Sequence, residues 1–369
     1  MHVLLTTDTL GGVWNYTQEL ASSLIKRGIK VTLVSFGEIP APEKISWMDE
    51  LPGLDFLPTG FPLEWMQDAQ RDVSASMEFL QALISEVSPD VLHLNQYCYG
   101  ALKTSVPRVV VAHSDVVGWW QAVHGTDPPP TRWLEWYRAT LQRGLQAASV
   151  VVAPSKWMLS SLSSNFGPHP NSRVIYNGRD PKRFNPHVSK EDYALTVGRV
   201  WDSGKQVVLL CQPDLPMRAV IAGCEQHPEL SLRNLGCNDP SLPNVQFVGM
   251  QSEAQLRQLY SRAAIYVAAS RYEPFGLAPL EAALSRCCIV VNDVDTFHEL
   301  WGDAALYFER NNAADLARKL RFLKDEPDLR REYANLAYQR ALAQFNADRM
   351  ADEYLKLYLS LIAAPAMAA

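Results

Sequence analysis

Ile265-Tyr-Val-Ala-Ala-Ser270-Arg-Tyr-Glu273-Pro-Phe275-Gly276-Leu277-Ala-Pro-Leu-Glu281 decides the fold. Its first four residues are apolar and β-compatible, a buried strand over Ile265–Ala268. Polar residues and a proline follow, then Phe-Gly as a turn, and a helix is expected from about Leu277. The same strand–loop–helix unit recurs outward along the chain. Strands are predicted at His2–Thr7, Val31–Phe36, Asp90–Leu94, Val109–Ala112, Val150–Ala153 and Arg173–Tyr176. After a polar segment, Asn177–Asp192, with Pro181 and Pro186, they resume at Tyr193–Val197, Arg218–Ala222, Val245–Val248, Ile265–Ala268, Cys288–Val291 and Ala305–Phe308. Helical spacing fills several gaps: Val13–Arg27 stopped by Gly28, Val73–Val87, Trp133–Ala147, and a helix capped by Ser155. Residues 37–68, with five prolines, read as irregular, and from Ala313 to about Ile362 the chain reads as nearly all helix. Such alternation argues for α/β architecture: parallel sheets covered by helices, with ligands at the carboxyl ends of the strands.

The chain has 369 residues, suited to two domains. Apolar residues make up 47% and charged residues 20%, which excludes a disordered chain. The formal charge is 34 − 40 = −6 and neither half is basic, so nucleic acid is not an expected partner. No apolar run approaches the ~18–20 residues that span a bilayer. The N-terminus reads as a first strand rather than a signal peptide. Six scattered cysteines without a Cys-x-x-Cys pair suit a reduced, cytoplasmic protein.

The loops after strands carry the chemistry. Gly11-Gly12 opens the first helix and lets backbone N–H groups approach an anion, although a tight turn needs glycine equally. Gly198-Arg199-Val-Trp-Asp-Ser-Gly204-Lys205 places two cations in one strand-end loop, as a diphosphate requires. Glu273 precedes the Phe-Gly turn and Glu281 lies eight residues later, inside the helix. One carboxylate suits the reacting centre and the other a pair of hydroxyls. Trp14, Asn95, Gln96, Tyr97 and Trp119 are acceptor-side candidates by position or aromatic character. Asp293-Val-Asp295 has the form of a metal-binding Asp-x-Asp pair, but two cations already serve the phosphates. No metal and no cofactor is expected.

Glu273…Glu281 with Phe-Gly-Leu inside resembles the E-x7-E signature of retaining glycosyltransferases of the GT-B fold, family 4. Gly198-Arg199…Lys205 is similar to that family's diphosphate loop, Gly11-Gly12-Val13-Trp14 to its first loop and helix, and Tyr176-Asn177-Gly178-Arg-Asp180 to its interdomain segment. The resemblance implies two Rossmann-like domains facing a central cleft: an acceptor domain at 1–178, a nucleotide-sugar domain at 179–345, and a C-terminal helix at 346–369 returning to the first. It implies transfer of a sugar from a nucleotide sugar, a UDP-sugar before GDP or ADP, to a saccharide or glycoconjugate hydroxyl. An epimerase or hydrolase of the same fold, and a non-catalytic sugar-nucleotide-binding subunit, are the alternatives. Arg199 and Lys205 would hold the diphosphate, with Gly12 and the amides of Phe275, Gly276 and Leu277. Glu281 would take the ribose, and Glu273 and His113 the donor sugar. Two departures stand out. Asn292-Asp-Val-Asp295-Thr-Phe-His298-Glu299 replaces a Gly-Gly-x-Pro-Glu stretch, and one extra residue between Arg199 and Lys205 requires a bulge, expected at Gly204.

Overall fold

A computed structural model of the chain describes residues 1–224 and 242–363, so the end of the expected C-terminal segment, 364–369, lies outside the described residues. The chain divides into two compact units: residues 1–118, 127–178 and 347–369 form one, and residues 119–126 and 179–346 the other.

Among the described residues the first unit has seven parallel strands: β1 (His2–Asp8), β2 (Lys30–Phe36), β3 (Leu54–Pro58), β4 (Val91–Leu94), β5 (Arg108–Val111), β6 (Val150–Ala153) and β7 (Ser172–Val174). Their spatial order is β3-β2-β1-β4-β5-β6-β7. The chain runs outward from β1 to β3, then crosses back to β4 on the other side of β1. A crevice opens at the carboxyl ends of β1 and β4, where successive connections leave in opposite directions. Strands such as Val91–Leu94 and Val150–Ala153 are buried along their whole length. Helices therefore cover both faces, and the strand sequences are continuous apolar runs instead of alternating ones.

Among the described residues the second unit has six parallel strands: β8 (Glu191–Val197), β9 (Arg218–Ala222), β10 (Val245–Gly249), β11 (Ala263–Ala268), β12 (Cys288–Asn292) and β13 (Leu306–Phe308). The order β10-β9-β8-β11-β12-β13 puts the same reversal between β8 and β11, which pair in register at Ile265↔Ala194 and Tyr266↔Leu195.

The residues expected to be irregular, 37–68, contain β3. Its Pro58 pairs with Ser35 at the edge of the sheet, where a missing N–H costs no ladder bond. Helices Val116–His124 and Asp295–Trp301 were also absent from the sequence pattern. Ser155 caps its helix as expected, accepting from the Met158 N–H at 3.0 Å. The C-terminal helical stretch holds the helices Ala313–Asp325, capped by Asn312, Pro327–Gln344, opened by Pro327, and Ala347–Ala363. The last belongs to the first unit. Arg27 bonds Asp348 at 3.1 Å and Asp352 at 2.9 Å, and Tyr354 and Tyr358 are fully buried there. The described cysteines Cys98, Cys211, Cys224, Cys287 and Cys288 are all free thiols. No helix among the described residues is long and apolar enough to cross a membrane.

Candidate active site

Each unit carries an open helix N-terminus at its crevice. Gly11, at φ 73°, precedes helix Gly12–Lys26, and Gly276, at φ 87°, precedes helix Leu277–Leu284. These left-handed angles favour glycine. In both helices no side chain caps the N-terminus and no acid lies in the first turn, whereas Thr131, Ser155, Ser252 and Asn312 cap other helices with side-chain oxygens. A helix leaves its first N–H groups without intrahelical acceptors and presents partial positive charge. Both termini thus suit an anion, and Gly12 and residues 275–277 lie at them.

In the second unit the loops after β8 and β11 meet. Lys205 Nζ lies 2.6 Å from Glu273 Oε2, and Ser270 Oγ donates to the same oxygen at 3.0 Å. Arg199 pairs with Asp202 at 2.6 Å. The buried Asp202 also accepts from the Gly204 N–H at 2.8 Å, so it fixes the loop from within. The Arg271 N–H donates to the Gly204 carbonyl at 2.8 Å and ties the two loops together. The positive-φ residue of this loop is Gln206, at φ 53°, rather than Gly204. A Cβ at Gly204 would instead come within 2.7 Å of Trp119 Nε1. Trp119 is thereby grouped with the second unit, apart from the other acceptor-side candidates. Phe275 is buried edge-on against Phe345, with ring centroids 5.4 Å apart.

Glu281 points inward. Its Oε1 lies 3.1 Å from Nε of Arg179, whose side chain is 1% exposed. Arg179 also reaches Glu253 at 3.4 Å, and Arg183 pairs with Glu253 at 2.6 Å. The departing loop after β12 is occupied by its own network: Asn292 donates to the Ser270 carbonyl and to Asn311, both at 3.1 Å, and Asp293 pairs with His298 at 2.5 Å.

In the first unit, His113 Nε2 lies 2.8 Å from Asn95 Oδ1, and Asn95 Nδ2 donates to the Thr6 carbonyl at 2.7 Å. Gln96 is 4% exposed, and neither its amide oxygen nor its nitrogen has a hydrogen-bond partner in the protein. The Tyr97 hydroxyl donates to the Ser114 carbonyl. Beneath this loop, the buried Glu64 accepts from the Tyr97 and Cys98 N–H groups at 2.9 and 2.7 Å. Burial raises its carboxyl pKa, and the bonds from Cys98 and Tyr97 oppose the rise. Trp14 is a correction to the acceptor set. It is 4% exposed, edge-on to Trp47 and Phe56 with Lys44 over its ring, and offers no free face to a sugar. Sequence reasoning missed Arg179, Glu64, Asp202 and Gln206, whose partners are distant in sequence or were read as loop. Arg179 stood within the quoted Asn177–Asp180 segment without a role.

The pattern described as Glycosyltransferase Family 4 matches residues 10–183, and that described as Glycosyl transferases group 1 matches residues 180–340. The O-antigen chain mannosyltransferase RfbU of Salmonella typhimurium is 23% identical over 232 residues, which is 58% of this chain and 61% of that protein. Sucrose-phosphate synthase from Thermosynechococcus elongatus superposes with a TM-score of 0.82 at 20% identity, covering 98% of this chain and 99% of the other. The Anabaena protein HepE, solved with UDP-glucose, superposes with a TM-score of 0.72 at 15% identity, covering 98% and 100%. The chain belongs to the group 1 glycosyltransferases of the GT-B fold.

Proposed function

We propose that this glycosyltransferase takes a sugar from a nucleotide sugar, with a UDP-sugar as first candidate, and passes it with retention to a hydroxyl of a saccharide or glycoconjugate in the cytoplasm. The observation that carries this reading is the Lys205–Glu273 pair, set beside the uncapped helix start at Leu277 and at the reversal of strand order. As the glycosidic bond breaks, charge grows on the leaving diphosphate. Lys205, Arg199 and the amides of Phe275, Gly276 and Leu277 are fixed donors for that charge, and preorganised donors stabilise it without reorganisation. In this reading they do so without a metal. Glu281 takes the ribose, while Glu273 and His113 contact the transferred sugar. The HepE structure with UDP-glucose supports uridine. Gln96 supports a hydroxyl-bearing acceptor, since a buried amide with both ends open is satisfied by a group that both donates and accepts.

A thermal-shift panel of nucleotide sugars tests the proposal. A ligand present at about 100 times its Kd stabilises the native state by about 2.7 kcal/mol. UDP and its sugars are expected to raise the melting temperature more than GDP or ADP sugars do. A panel without any nucleotide response overturns the reading.

A further inference from the structure

We propose that Tyr358, on the last helix, is a positioning residue that sets the orientation of His113 through His93 and Tyr16. The inference deepens the assignment of His113 to the donor sugar and rests on it. Its basis is a buried chain of contacts inside the first unit. Tyr354 and Tyr358 lie one turn apart on helix Ala347–Ala363 and face the same side. The Tyr358 hydroxyl lies 2.6 Å from His93 Nδ1 on β4. His93 Nε2 lies 3.1 Å from the hydroxyl of Tyr16, on the helix that Gly11 opens. The Tyr16 ring meets the His113 ring edge-on, with centroids 4.6 Å apart. Tyr354 packs on His93 with centroids 4.9 Å apart and closes the cluster. His93, Tyr354 and Tyr358 are 0% exposed and Tyr16 is 1% exposed.

Hydrogen-bond logic then fixes the proton on His113. The Thr6 carbonyl can only accept, so the atom of Asn95 facing it is the amide nitrogen and the atom facing His113 is the oxygen. That oxygen can only accept, so His113 carries its proton on Nε2. Its Nδ1 is left as an acceptor, suited to a sugar hydroxyl. Asn95 grips one edge of the ring and Tyr16 packs against it. Tyr16 is in turn held by His93, which as a neutral imidazole gives one hydrogen bond and receives the other. Removing the Tyr358 hydroxyl leaves buried His93 Nδ1 unpaired, so the His93 ring can turn and carry the Tyr16 hydroxyl bonded to its Nε2 with it, against His113.

The experiment compares wild type with Tyr358→Phe, which keeps the ring and its packing. Two-bond 1H–15N spectra report the histidine rings, with His113 and His93 assigned from His113→Ala and His93→Gln. Turnover of UDP-glucose and calorimetric affinity for UDP are measured in parallel. The wild type should show His113 protonated on Nε2 and bare on Nδ1. In Tyr358→Phe the His113 ring signals should move or broaden, and turnover should fall about 10-fold, with UDP affinity unchanged. His93→Gln, which retains a donor and an acceptor, should keep more turnover than His93→Leu. Unchanged His113 signals in a folded Tyr358→Phe protein overturn the positioning link, and so does a His113 proton found on Nδ1. If His113→Ala retains full turnover while Tyr358→Phe still moves the His113 signals, the link stands and the donor-sugar role of His113 fails.

Discussion

Lys205 Nζ and Glu273 Oε2 lie 2.6 Å apart, joining the loop after β8 to the loop after β11. Sixty-eight residues separate them in sequence, and the reversal of strand order between β8 and β11 makes them neighbours. The pair sets one positive and one negative charge side by side at the crevice. In the proposed mechanism a bound diphosphate competes with Glu273 for Lys205, so the two residues should affect binding in opposite directions.

Glu273→Gln should therefore leave UDP affinity equal to wild type or tighter, because it releases Lys205 and removes a like charge from the phosphate site. Lys205→Ala should weaken UDP by about 10- to 100-fold, the ~1.5–3 kcal/mol expected for a hydrogen bond to a charged group. If Glu273 acts on the sugar as bonds break, Glu273→Gln should lower kcat and kcat/KM together. Calorimetry with UDP and steady-state kinetics check both. Loss of UDP affinity with intact turnover would move Glu273 to the nucleotide.

The Arg179–Glu281 pair gives a second separation. Arg179 is 1% exposed on its side chain and Glu281 10%, so removing the guanidinium takes the cation away from a buried carboxylate charge. Arg179→Met should destabilise the second unit by about 3–5 kcal/mol. Adding Glu281→Gln should recover much of that stability, because that buried charge is gone. It should not recover nucleotide affinity if Glu281 takes the ribose, where its loss is expected to cost about 1–3 kcal/mol. Urea titrations and UDP calorimetry on the single and double variants decide. Recovery of both would make Glu281 a purely structural partner of Arg179.

These residues show what the sequence made legible. Gly11, Gly276, Lys205 and Glu273 stand in loops directly after apolar strands, and parallel topology sends such loops to the ligand edge. Arg179 and Glu281 are 102 positions apart, and only the packing of helix Leu277–Leu284 brings them together. His93 and Tyr358, 265 positions apart, fall in stretches read only as strand and as helix. Trp14 misled for the opposite reason. It follows a glycine-rich loop, but as the third residue of helix Gly12–Lys26 it turns into the core. β3 was hidden by prolines that a sheet edge tolerates.

Turnover should survive EDTA. In the proposed mechanism the diphosphate charge is met by Arg199, Lys205 and the Leu277 helix start, so chelation removes no part of the machinery. The check is the rate of donor turnover with excess EDTA and then with added Mg2+ or Mn2+. Abolition by EDTA and restoration by either ion would return Asp293 and Asp295 to consideration as ligands.

Two histidines of the first unit, buried His93 and partly buried His113, make its stability acid-sensitive. Burial, and for His93 also the nearby His113, lowers the pKa of both His93 and His113 to about 3. Unfolded, each titrates near the ordinary histidine value of about 6.5. Between those values the unfolded chain binds protons that the folded chain refuses. Stability from this source is therefore complete above about pH 6.5 and falls as the pH drops toward 3. Each group contributes a slope of up to ~1.4 kcal/mol per pH unit inside that window. The groups facing His93 are Tyr16, Tyr354, Tyr358, His113 and Asn95; Asn95 favours the charged form, but none is a carboxylate that could hold it in place. His93→Gln keeps hydrogen-bonding capacity without titrating, so the variant should lose stability less steeply than wild type between pH 6 and pH 4.5, by up to that same slope. Urea denaturation followed at several pH values measures the difference. Parallel curves for wild type and His93→Gln would mean that His93 is protonated in the folded protein, and the neutral bridge between Tyr16 and Tyr358 would have to be abandoned.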